Sequence, residues 1–311
     1  MGTNWMVKVL TNTQINQLEL ETNIKQRLEE LETIFSHWRH DGAIHQFNKK
    51  QSTKPLTINH EIIDLLKHAQ WMHQHTSGAF DPTIAPVVNL WGFGPNGKTR
   101  STIPTAQQIE KALSSTGIQK FEILPQKMIQ KKVPNLQLDF SASAKGEIID
   151  QICKLLARWG FKNYLVEIGG EVRAEGRGRK GRGWIVGLED GNSDNNEDMV
   201  SVPLRNYAVA TSGSYRLNKP NPDSNRSASH LIDPRTGRPI EHDLIAVNAF
   251  APTARDADAW ATALMILGPK DGMELAEKMD MVARFSVLNN NSIEIKKSKA
   301  YDRLYGTAIS K

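Results

Sequence analysis

An aspartate and a threonine stand in an otherwise apolar stretch of the sequence. Between residues 257 and 267 only Asp258 and Thr262 are not apolar, and a spacing of four places them on one face of a helix. A helix that is apolar on every side is normally buried. Burying an ionised carboxylate costs several kcal/mol, whereas a helix N-terminus contributes only about 0.3–1 kcal/mol. Asp258 therefore needs a further partner, either backbone amides or a hard cation such as Mg²⁺, and the segment favours both equally.

Three other segments carry side chains that could bind an anion or move a proton. His230 precedes a turn at residues 233–237, and turn chemistry does not explain it, although a lone histidine is more often structural than catalytic. Lys145 follows a run of small residues, which would let the backbone approach a ligand closely but would also suit a tight turn. Asp81 precedes Pro82, an arrangement that opens a helix and has a purely structural explanation.

Periodic apolar residues predict the elements that must hold these side chains. One long amphipathic helix has its inward residues at Ile24, Leu28, Leu31, Phe35 and Trp38. Further helices are predicted near residues 61–75, 105–114 and 145–159, and a capping box formed by Thr253 and Asp256 opens the helix that carries Asp258. Strands are predicted at 3–10, 121–124, 128–133, 135–140, 163–170, 183–189, 207–213, 244–251, 283–288 and 292–297. Strands clustered around a few helices indicate an α+β fold.

Composition limits the class of function. The 311 residues are 39% apolar and 23% charged, as in ordinary globular proteins, and the net charge of +5 favours anionic ligands only weakly and does not indicate nucleic acid. The sequence contains no run of 18 apolar residues, the length that a membrane-spanning helix needs. Cys153 is the only cysteine, so no internal disulfide forms, and its apolar surroundings predict a buried thiol.

Several motif-like segments are better explained by structure than by chemistry. Residues 176–183, GRGRKGRG, contain the spacing GxGxxG, but a strand-like segment follows where a dinucleotide site requires a helix. A hairpin loop with solvated arginines is preferred there over an RNA-binding segment. His73 and His75 are two apart on a helix and cannot converge on a metal. The polar stretch 191–199 reads as a surface loop.

Motifs along essentially the whole chain resemble the FAD:protein FMN transferase family, the ApbE-type flavin transferases, which are also grouped as thiamine biosynthesis lipoproteins. The segments are MGTNW, FSHWRHDGAIHQFN, GAFDPTIAPVVNLWGFG, LDFSASAKG, VEIGGEVRAEG, AVATSGSY, HLIDPRTGRP and DADAWATALMILG. Each is weak alone, and their order is specific. The resemblance implies a single mixed α+β domain over residues 1–311, related to the tunnelling-fold architecture.

In that family FAD binds with Mg²⁺ on its pyrophosphate, and FMN moves to a threonine hydroxyl of an acceptor flavoprotein with release of AMP. The resemblance places FAD contacts at Met1, Trp38, Ala79, Phe80, Asp81, Asp139, Lys145 and Ile232. It places metal ligands at Asp258 and Thr262, through their side chains, and at the carbonyls of Ala142 and Ala261. His230 and Asp258 are both candidates for the catalytic base.

The chain departs from the family pattern at four places. Gly42-Ala43 and His45-Gln46 replace polar pairs near the flavin, residues 140–143 replace a glycine-rich turn, and Glu167 replaces an asparagine or aspartate. None of these departures removes an expected metal ligand.

The resemblance also implies a partner and a location, and two rival functions remain open. The acceptor is expected to be a subunit of a membrane redox complex or another flavinylated electron-transfer protein. The chain is expected in the periplasm or anchored at the outer side of the membrane, after removal of a signal or lipoprotein segment, although a cytoplasmic form would have the same sequence. The rivals are an Mg²⁺-dependent FAD pyrophosphatase and a non-catalytic FAD-binding protein.

Overall fold

The computed structural model describes residues 2–95, 103–191, 200–214, 218–219, 228–290 and 292–306. The helices are α1 (Gln17–Phe35), α2 (Ala43–Lys49), α3 (His60–His75), α4 (Ala85–Leu90), α5 (Ala106–Leu113), α6 (Ala144–Arg158), α7 (Ala254–Lys278) and α8 (Lys299–Tyr305). The strands are β1 (Trp5–Val9), β2 (Leu56–Thr57), β3 (Phe121–Leu124), β4 (Met128–Lys131), β5 (Tyr164–Ile168), β6 (Glu171–Glu175), β7 (Trp184–Gly187), β8 (Ser201–Leu204), β9 (Tyr207–Gly213), β10 (Asn218–Lys219), β11 (Ala228–Ser229), β12 (Ile232–Asp233), β13 (Arg238–Pro239), β14 (Leu244–Ala251), β15 (Val282–Asn289) and β16 (Ser292–Lys297). The predicted α+β class is confirmed.

Contacts between Cα atoms divide the chain into two compact units. The first unit comprises Met1–Glu29, Ser143–Arg216 and His242–Lys311, and the second comprises Glu30–Ala142 and Leu217–Glu241. The assignment of residues 1–311 to one domain stays a prediction. Within the described residues, no helix is both long and apolar enough to span a bilayer.

The first unit is built on an antiparallel seven-stranded sheet of order β1-β5-β6-β9-β14-β15-β16. Neighbouring side chains of β5 point to opposite faces of the sheet, and contacts on both sides show that both faces are covered. The Tyr164 hydroxyl donates to the Cys153 carbonyl of α6, whereas Leu165 packs in a cluster that contains Tyr301 of α8. Cys153 is buried as predicted, and burial raises the pKa of its thiol. Helix α7 lies against β9 and β14 beside α6.

Helix α7 is interrupted after its first half. Gly268 has a φ of +83°, and Pro269 follows it. Proline has no N–H, so it cannot donate to the carbonyl of Met265 four residues earlier. His242 Nε2 lies 2.9 Å from that carbonyl oxygen and donates to it instead. The break limits the part of α7 that carries Asp258 and Thr262 to its first four turns.

The second unit contains a three-stranded antiparallel sheet of order β2-β4-β3 and the paired strands β10–β11 and β12–β13. Helix α3 follows the predicted pattern, with Ile62, Leu65, Leu66, Ala69 and Met72 all buried. Lys131 is buried on β4, and its ammonium donates to the carbonyls of Phe47 and Lys50 at 2.8 Å each. Burial lowers the pKa of Lys131 to about 8.

Some predictions about local structure are wrong. Helix α1 ends at Phe35, and Trp38 lies beyond it with 59% of its surface exposed. Residues 135–140 form no strand, because the Asn48 side-chain amide takes both the N–H and the carbonyl of Leu138, at 2.7 and 2.8 Å. Residues 176–183 do not close a hairpin, since they join β6 to β7, which belong to different sheets.

Other predictions hold or fall outside the structure. A strand rather than a helix follows the glycine-rich loop, so its rejection as a dinucleotide motif is confirmed. Thr253 accepts a hydrogen bond from the Asp256 N–H at 3.1 Å, which confirms the threonine half of the capping box. Met1 and residues 192–199 of the predicted polar loop lie outside the described residues.

Candidate functional site

Asp258 is buried against the start of α6. The aspartate is 3% exposed, and its Oδ2 accepts a hydrogen bond from the Gly146 N–H at 3.0 Å. A Cβ on Gly146 would lie 2.2 Å from the Ala254 carbonyl oxygen, so only glycine allows the two helix starts to come this close. A backbone amide is therefore one partner of the buried carboxylate.

Asp150 of α6 fixes the first turn of α7. Its two carboxylate oxygens accept from the Ala254 and Arg255 N–H groups at 2.9 and 3.0 Å. These N–H groups have no partner inside the helix, so a carboxylate at this point satisfies them and complements the helix dipole. Arg173 pairs with the same carboxylate. The position of Asp258 is thus determined by contacts between α6 and α7.

A second buried carboxylate lies in the same unit. Glu171, the first residue of β6, is 1% exposed and forms an ion pair through Oε1 with Lys145. Its Oε2 is buried without a hydrogen-bond partner among the described residues. Burial raises the pKa of Glu171 to about 7, the Lys145 ammonium opposes this rise, and the Asp258 charge adds to it. Burial also raises the pKa of Asp258, while Lys145 and the Gly146 amide lower it.

Hydroxyl side chains in the same unit add further oxygens to those of Asp258 and Glu171. Thr262 Oγ1 lies 3.0 Å from Ser212 Oγ on β9, and both hydroxyls can donate or accept. Ser143, the N-cap of α6, has a buried hydroxyl without a hydrogen-bond partner in the described part of the chain. Carboxylate and hydroxyl oxygens are the ligands that a hard cation takes, and the lysine can bind phosphate.

No group of three or more His, Cys, Asp or Glu side chains among the described residues is placed to hold a metal ion. The predicted ligand set is of another kind, since it combines one carboxylate with a hydroxyl and backbone carbonyls. Ala261 is fully buried on α7, and Ala142 is half-buried directly before the N-cap of α6. Their roles as ligands stay predictions.

In the second unit, two aspartates predicted to contact FAD lie on adjacent loops. The Asp139 N–H donates to the Pro82 carbonyl at 2.7 Å, which joins the loops. Asp81 Oδ1 accepts from the N–H and hydroxyl of Thr83, at 2.8 and 2.6 Å. Asp139 Oδ1 accepts the same pair of bonds from Ser141. Both carboxylates therefore stabilise turns through one oxygen. The predicted helix opening at Asp81 and Pro82 is wrong, because α4 begins at Ala85 with Ile84 as its N-cap.

A cavity of about 360 Å³ in the same unit is lined by Asp139 and three histidines, His37, His40 and His45. His37 Nδ1 lies 3.5 Å from Asp139 Oδ1, and both side chains are buried. His40 and His45 approach to 3.4 Å through their ring nitrogens. The His45 that departs from the family pattern thus faces the cavity that Asp139 lines.

The remaining predicted residues of the second unit differ in exposure. Ala79, Phe80 and Ile232 are buried, with at most 5% of their surface exposed, whereas Trp38 is largely exposed. His230 is half-buried, and its ring contacts that of Phe93 with centroids 6.4 Å apart. Their contacts with FAD, and the choice between His230 and Asp258 as base, stay predictions.

Sequence reasoning missed Glu171, Ser212 and Ser143. Glu171 gave no burial signal, because the strand EVRAE places Arg173 and Glu175 at the alternate positions that share its face. The two serines gave no signal, since serine is common in strands and turns alike.

Comparison with known proteins decides the family. The family model described as "ApbE family" matches residues 1–285. The chain belongs to the ApbE family. The predicted resemblance to flavin transferases of this kind is therefore confirmed.

Individual members are similar in sequence and in fold. The FAD:protein FMN transferase of Salmonella typhimurium is 36% identical over 281 residues, which cover 89% of this chain and 79% of that protein. The crystal structure of the Pseudomonas stutzeri flavinyl transferase ApbE, in its apo form, matches with a TM-score of 0.90 and 34% identity over 98% of this chain and 94% of that one. The flavin transferase ApbE from Vibrio cholerae matches with a TM-score of 0.88 and 32% identity over 97% and 96% of the two chains. The ApbE-like fold is thereby confirmed.

Proposed function

We propose that this protein transfers FMN from FAD to a threonine hydroxyl of an acceptor flavoprotein and releases AMP, with Mg²⁺ bound at the FAD pyrophosphate. Relatives named FAD:protein FMN transferase support flavin transfer. The observation that carries the chemistry is the group formed by the buried Glu171, Asp258 and Thr262 together with the partly exposed Lys145. Such a group combines a phosphate-binding cation with oxygen ligands for a divalent ion.

The residues of this group fit a hard cation. Glu171 Oε2 is a buried carboxylate oxygen without a hydrogen-bond partner in the region described, and Asp258 and Thr262 present further oxygens. Following the family pattern, Asp258 and Thr262 would hold Mg²⁺ together with the carbonyls of Ala142 and Ala261. When bound, the ion supplies positive charge to the pyrophosphate oxygens.

Lys145 is suited to bind the anionic part of the substrate. Its side chain is 34% exposed, whereas that of its partner Glu171 is 2% exposed. The ammonium can therefore keep its ion pair and still face a phosphate from the solvent side. Positive charge at this point stabilises the negative charge that accumulates on the transferred group.

In the proposed step the threonine hydroxyl of the acceptor attacks the FMN-side phosphorus. A bond forms between that phosphorus and the threonine oxygen, the bond to the AMP oxygen breaks, and the hydroxyl proton passes to a base. Asp258 and His230 are the candidates. Burial raises the pKa of Asp258 in the metal-free protein, whereas a bound divalent cation would lower it.

The acceptor and the location are proposed from the family resemblance. The acceptor is a subunit of a membrane redox complex or a related electron-transfer flavoprotein, and the transfer takes place outside the cytoplasm. Cell fractionation with an antibody against this protein distinguishes a periplasmic or membrane-anchored enzyme from a cytoplasmic one.

The test uses the full chain with FAD, Mg²⁺ and an acceptor domain that carries a target threonine. Intact mass spectrometry of the acceptor and chromatography of AMP are followed together. The proposal requires both the FMN mass on the acceptor and equimolar AMP, and neither on an acceptor whose threonine is replaced by valine. AMP with an unmodified acceptor would instead identify a pyrophosphatase, and FAD binding without either product would identify a binding protein.

Asp258→Asn tests the buried group directly. Asparagine keeps an oxygen for the Gly146 N–H but removes the charge, so we expect turnover to fall by about 10²–10⁴-fold with the fold intact. Asp256→Asn, two residues earlier on the same helix and 30% exposed, serves as the control. Full activity in the Asp258 variant would contradict the assignment.

A further inference from the structure

A groove in the first unit lies between strand β1 and the glycine-rich loop before β7. Its volume is about 520 Å³, and its lining includes Lys8, Val9, Arg179, Lys180, Trp184 and Ile185. None of these residues belongs to the group around Asp258. We refer to this feature as the basic groove.

The basic groove carries uncompensated positive charge. Three of its lining residues are exposed cations, Lys8, Arg179 and Lys180, and the same loop carries two more exposed cations, Arg177 and Arg182. None of the five has an ion pair or side-chain hydrogen bond with another described residue. Exposed like charges at this density repel one another, so the surface favours an acidic ligand.

The loop that supplies these cations is held in shape. The Gly178 N–H and the Trp184 indole N–H both donate to Asn163 Oδ1, at 2.9 and 3.1 Å. The Gly183 N–H donates to the Arg177 carbonyl at 2.8 Å. A Cβ on Gly178 would lie 2.3 Å from the Gly183 carbonyl oxygen, so glycine is required for this close approach. The cations are therefore presented from an ordered loop, which reduces the entropy lost on binding.

The other wall of the basic groove is a free strand edge. Strand β1 is the terminal strand of the sheet and pairs only with β5 in the described ladder. Its bonds to the β5 side run through even-numbered residues, as the Leu10 N–H donates to the Asn163 carbonyl and the Asn4 carbonyl accepts from Gly169. Because bonded and non-bonded residues alternate in an antiparallel pair, Val9 turns its N–H and carbonyl away from β5.

We propose that the basic groove binds an extended acidic segment of a partner protein. The segment adds a strand to the free edge of β1 and places carboxylates beside Lys8, Arg179 and Lys180. Ile185, which is 64% exposed at the rim, provides an apolar contact for an alternate side chain. The proposal does not depend on FMN transfer.

An extended peptide fits this surface better than an anionic membrane or a nucleic acid. A lipid surface is broad and does not enter a groove, and neither lipid nor nucleic acid carries the alternating N–H and carbonyl groups that pair with a strand edge. An acidic peptide provides both carboxylates for the exposed cations and backbone groups that pair with the edge of β1.

The test measures fluorescence anisotropy of a labelled peptide that alternates glutamate and valine. We expect saturable binding that weakens as salt is raised and is absent for a peptide with lysine in place of glutamate. The double variant Arg179→Glu, Lys180→Glu should weaken binding by about tenfold or more. Lys296→Glu, on the opposite edge strand and 45% exposed, is the charge control and should leave binding unchanged.

The backbone part of the proposal has its own variant. Val9→Pro removes an N–H that faces away from β5 and leaves the ladder with β5 in place, so we expect about fivefold weaker binding with an unchanged circular dichroism spectrum. If that variant does not fold, the same peptide with N-methylated alternate amides replaces it. Equal binding of the lysine peptide, or no effect of both the charge reversal and the backbone change, would overturn the proposal. So would binding to phosphatidylglycerol vesicles or to a nucleic acid oligomer without binding to the acidic peptide.

Discussion

Replacement of Glu171 by glutamine should change how stability depends on pH. The pKa of this buried carboxyl rises from 4.5 to about 7 on folding, which corresponds to about 3 kcal/mol of preference for its protonated form. Below the unfolded-state pKa of 4.5 the group is protonated in both states and contributes no penalty. Above about 7 it is ionised in both states, and the folded state carries the full penalty.

The variant Glu171→Gln has a similar shape and no ionisation. We therefore expect its free energy of unfolding, relative to that of the wild type, to increase by about 3 kcal/mol as the pH rises from about 4.5 to above 7. Urea denaturation of both proteins is measured across this range in the presence of EDTA, because a bound divalent cation favours the ionised carboxylate. Glu294→Gln on β16, where the glutamate is 47% exposed, is the control and should show no such trend.

The reasoning fails if the difference between Glu171→Gln and the wild type is constant with pH. It also fails if the difference moves in the opposite sense, since that would mean that Lys145 stabilises the ionised carboxylate by more than burial destabilises it. A parallel titration with Mg²⁺ in place of EDTA provides a second readout, in which the pH trend should shrink.

Three further substitutions test contacts that position the elements. Gly146→Ala should lower the free energy of unfolding by about 1–3 kcal/mol, because a methyl group would meet backbone atoms of α7 that cannot move alone; an unchanged urea midpoint would contradict this. Lys131→Met should lower the free energy of unfolding by a similar ~1–3 kcal/mol, since two carbonyls at the end of α2 lose their buried donor. An unchanged melting temperature in thermal denaturation would contradict this. Gly268→Ala should cost more than Gly160→Ala in urea denaturation, because both have positive φ but only Gly268 faces the His242 ring; equal losses would show that backbone strain alone matters.

The sequence predicted best those features that depend on neighbouring residues. The predicted helix at 61–75 is observed as His60–His75, with its apolar stripe buried, because helical periodicity is local. The same locality placed Asp258 and Thr262 on one buried helix. The burial argument also required a partner for Asp258, and the Gly146 amide provides one.

Features that depend on distant residues were not predictable in this way. The side chain of Asn48 takes the place of a neighbouring strand as the hydrogen-bond partner of Leu138. No pattern within residues 135–140 indicates that this partner comes from 90 residues earlier in the chain. The pairing of Lys145 with Glu171 likewise requires knowledge of where β6 lies in the sheet. The first unit is assembled from three separate chain segments and the second from two, and no local pattern in the sequence indicates this division. The FAD contacts remain predictions, because they came from family resemblance.

The order of strands in the sheet has a consequence for synthesis on the ribosome. Strand β1 is made before the other described strands, yet its only described ladder partner, β5, begins at Tyr164. At bacterial or eukaryotic rates of elongation, about 5–20 residues per second, β1 waits on the order of ten seconds for that partner. During this interval most of Glu30–Ala142 has already emerged. The first unit therefore cannot close its sheet vectorially from the N-terminus, and an early truncation leaves β1 as an unpaired strand exposed to chaperones.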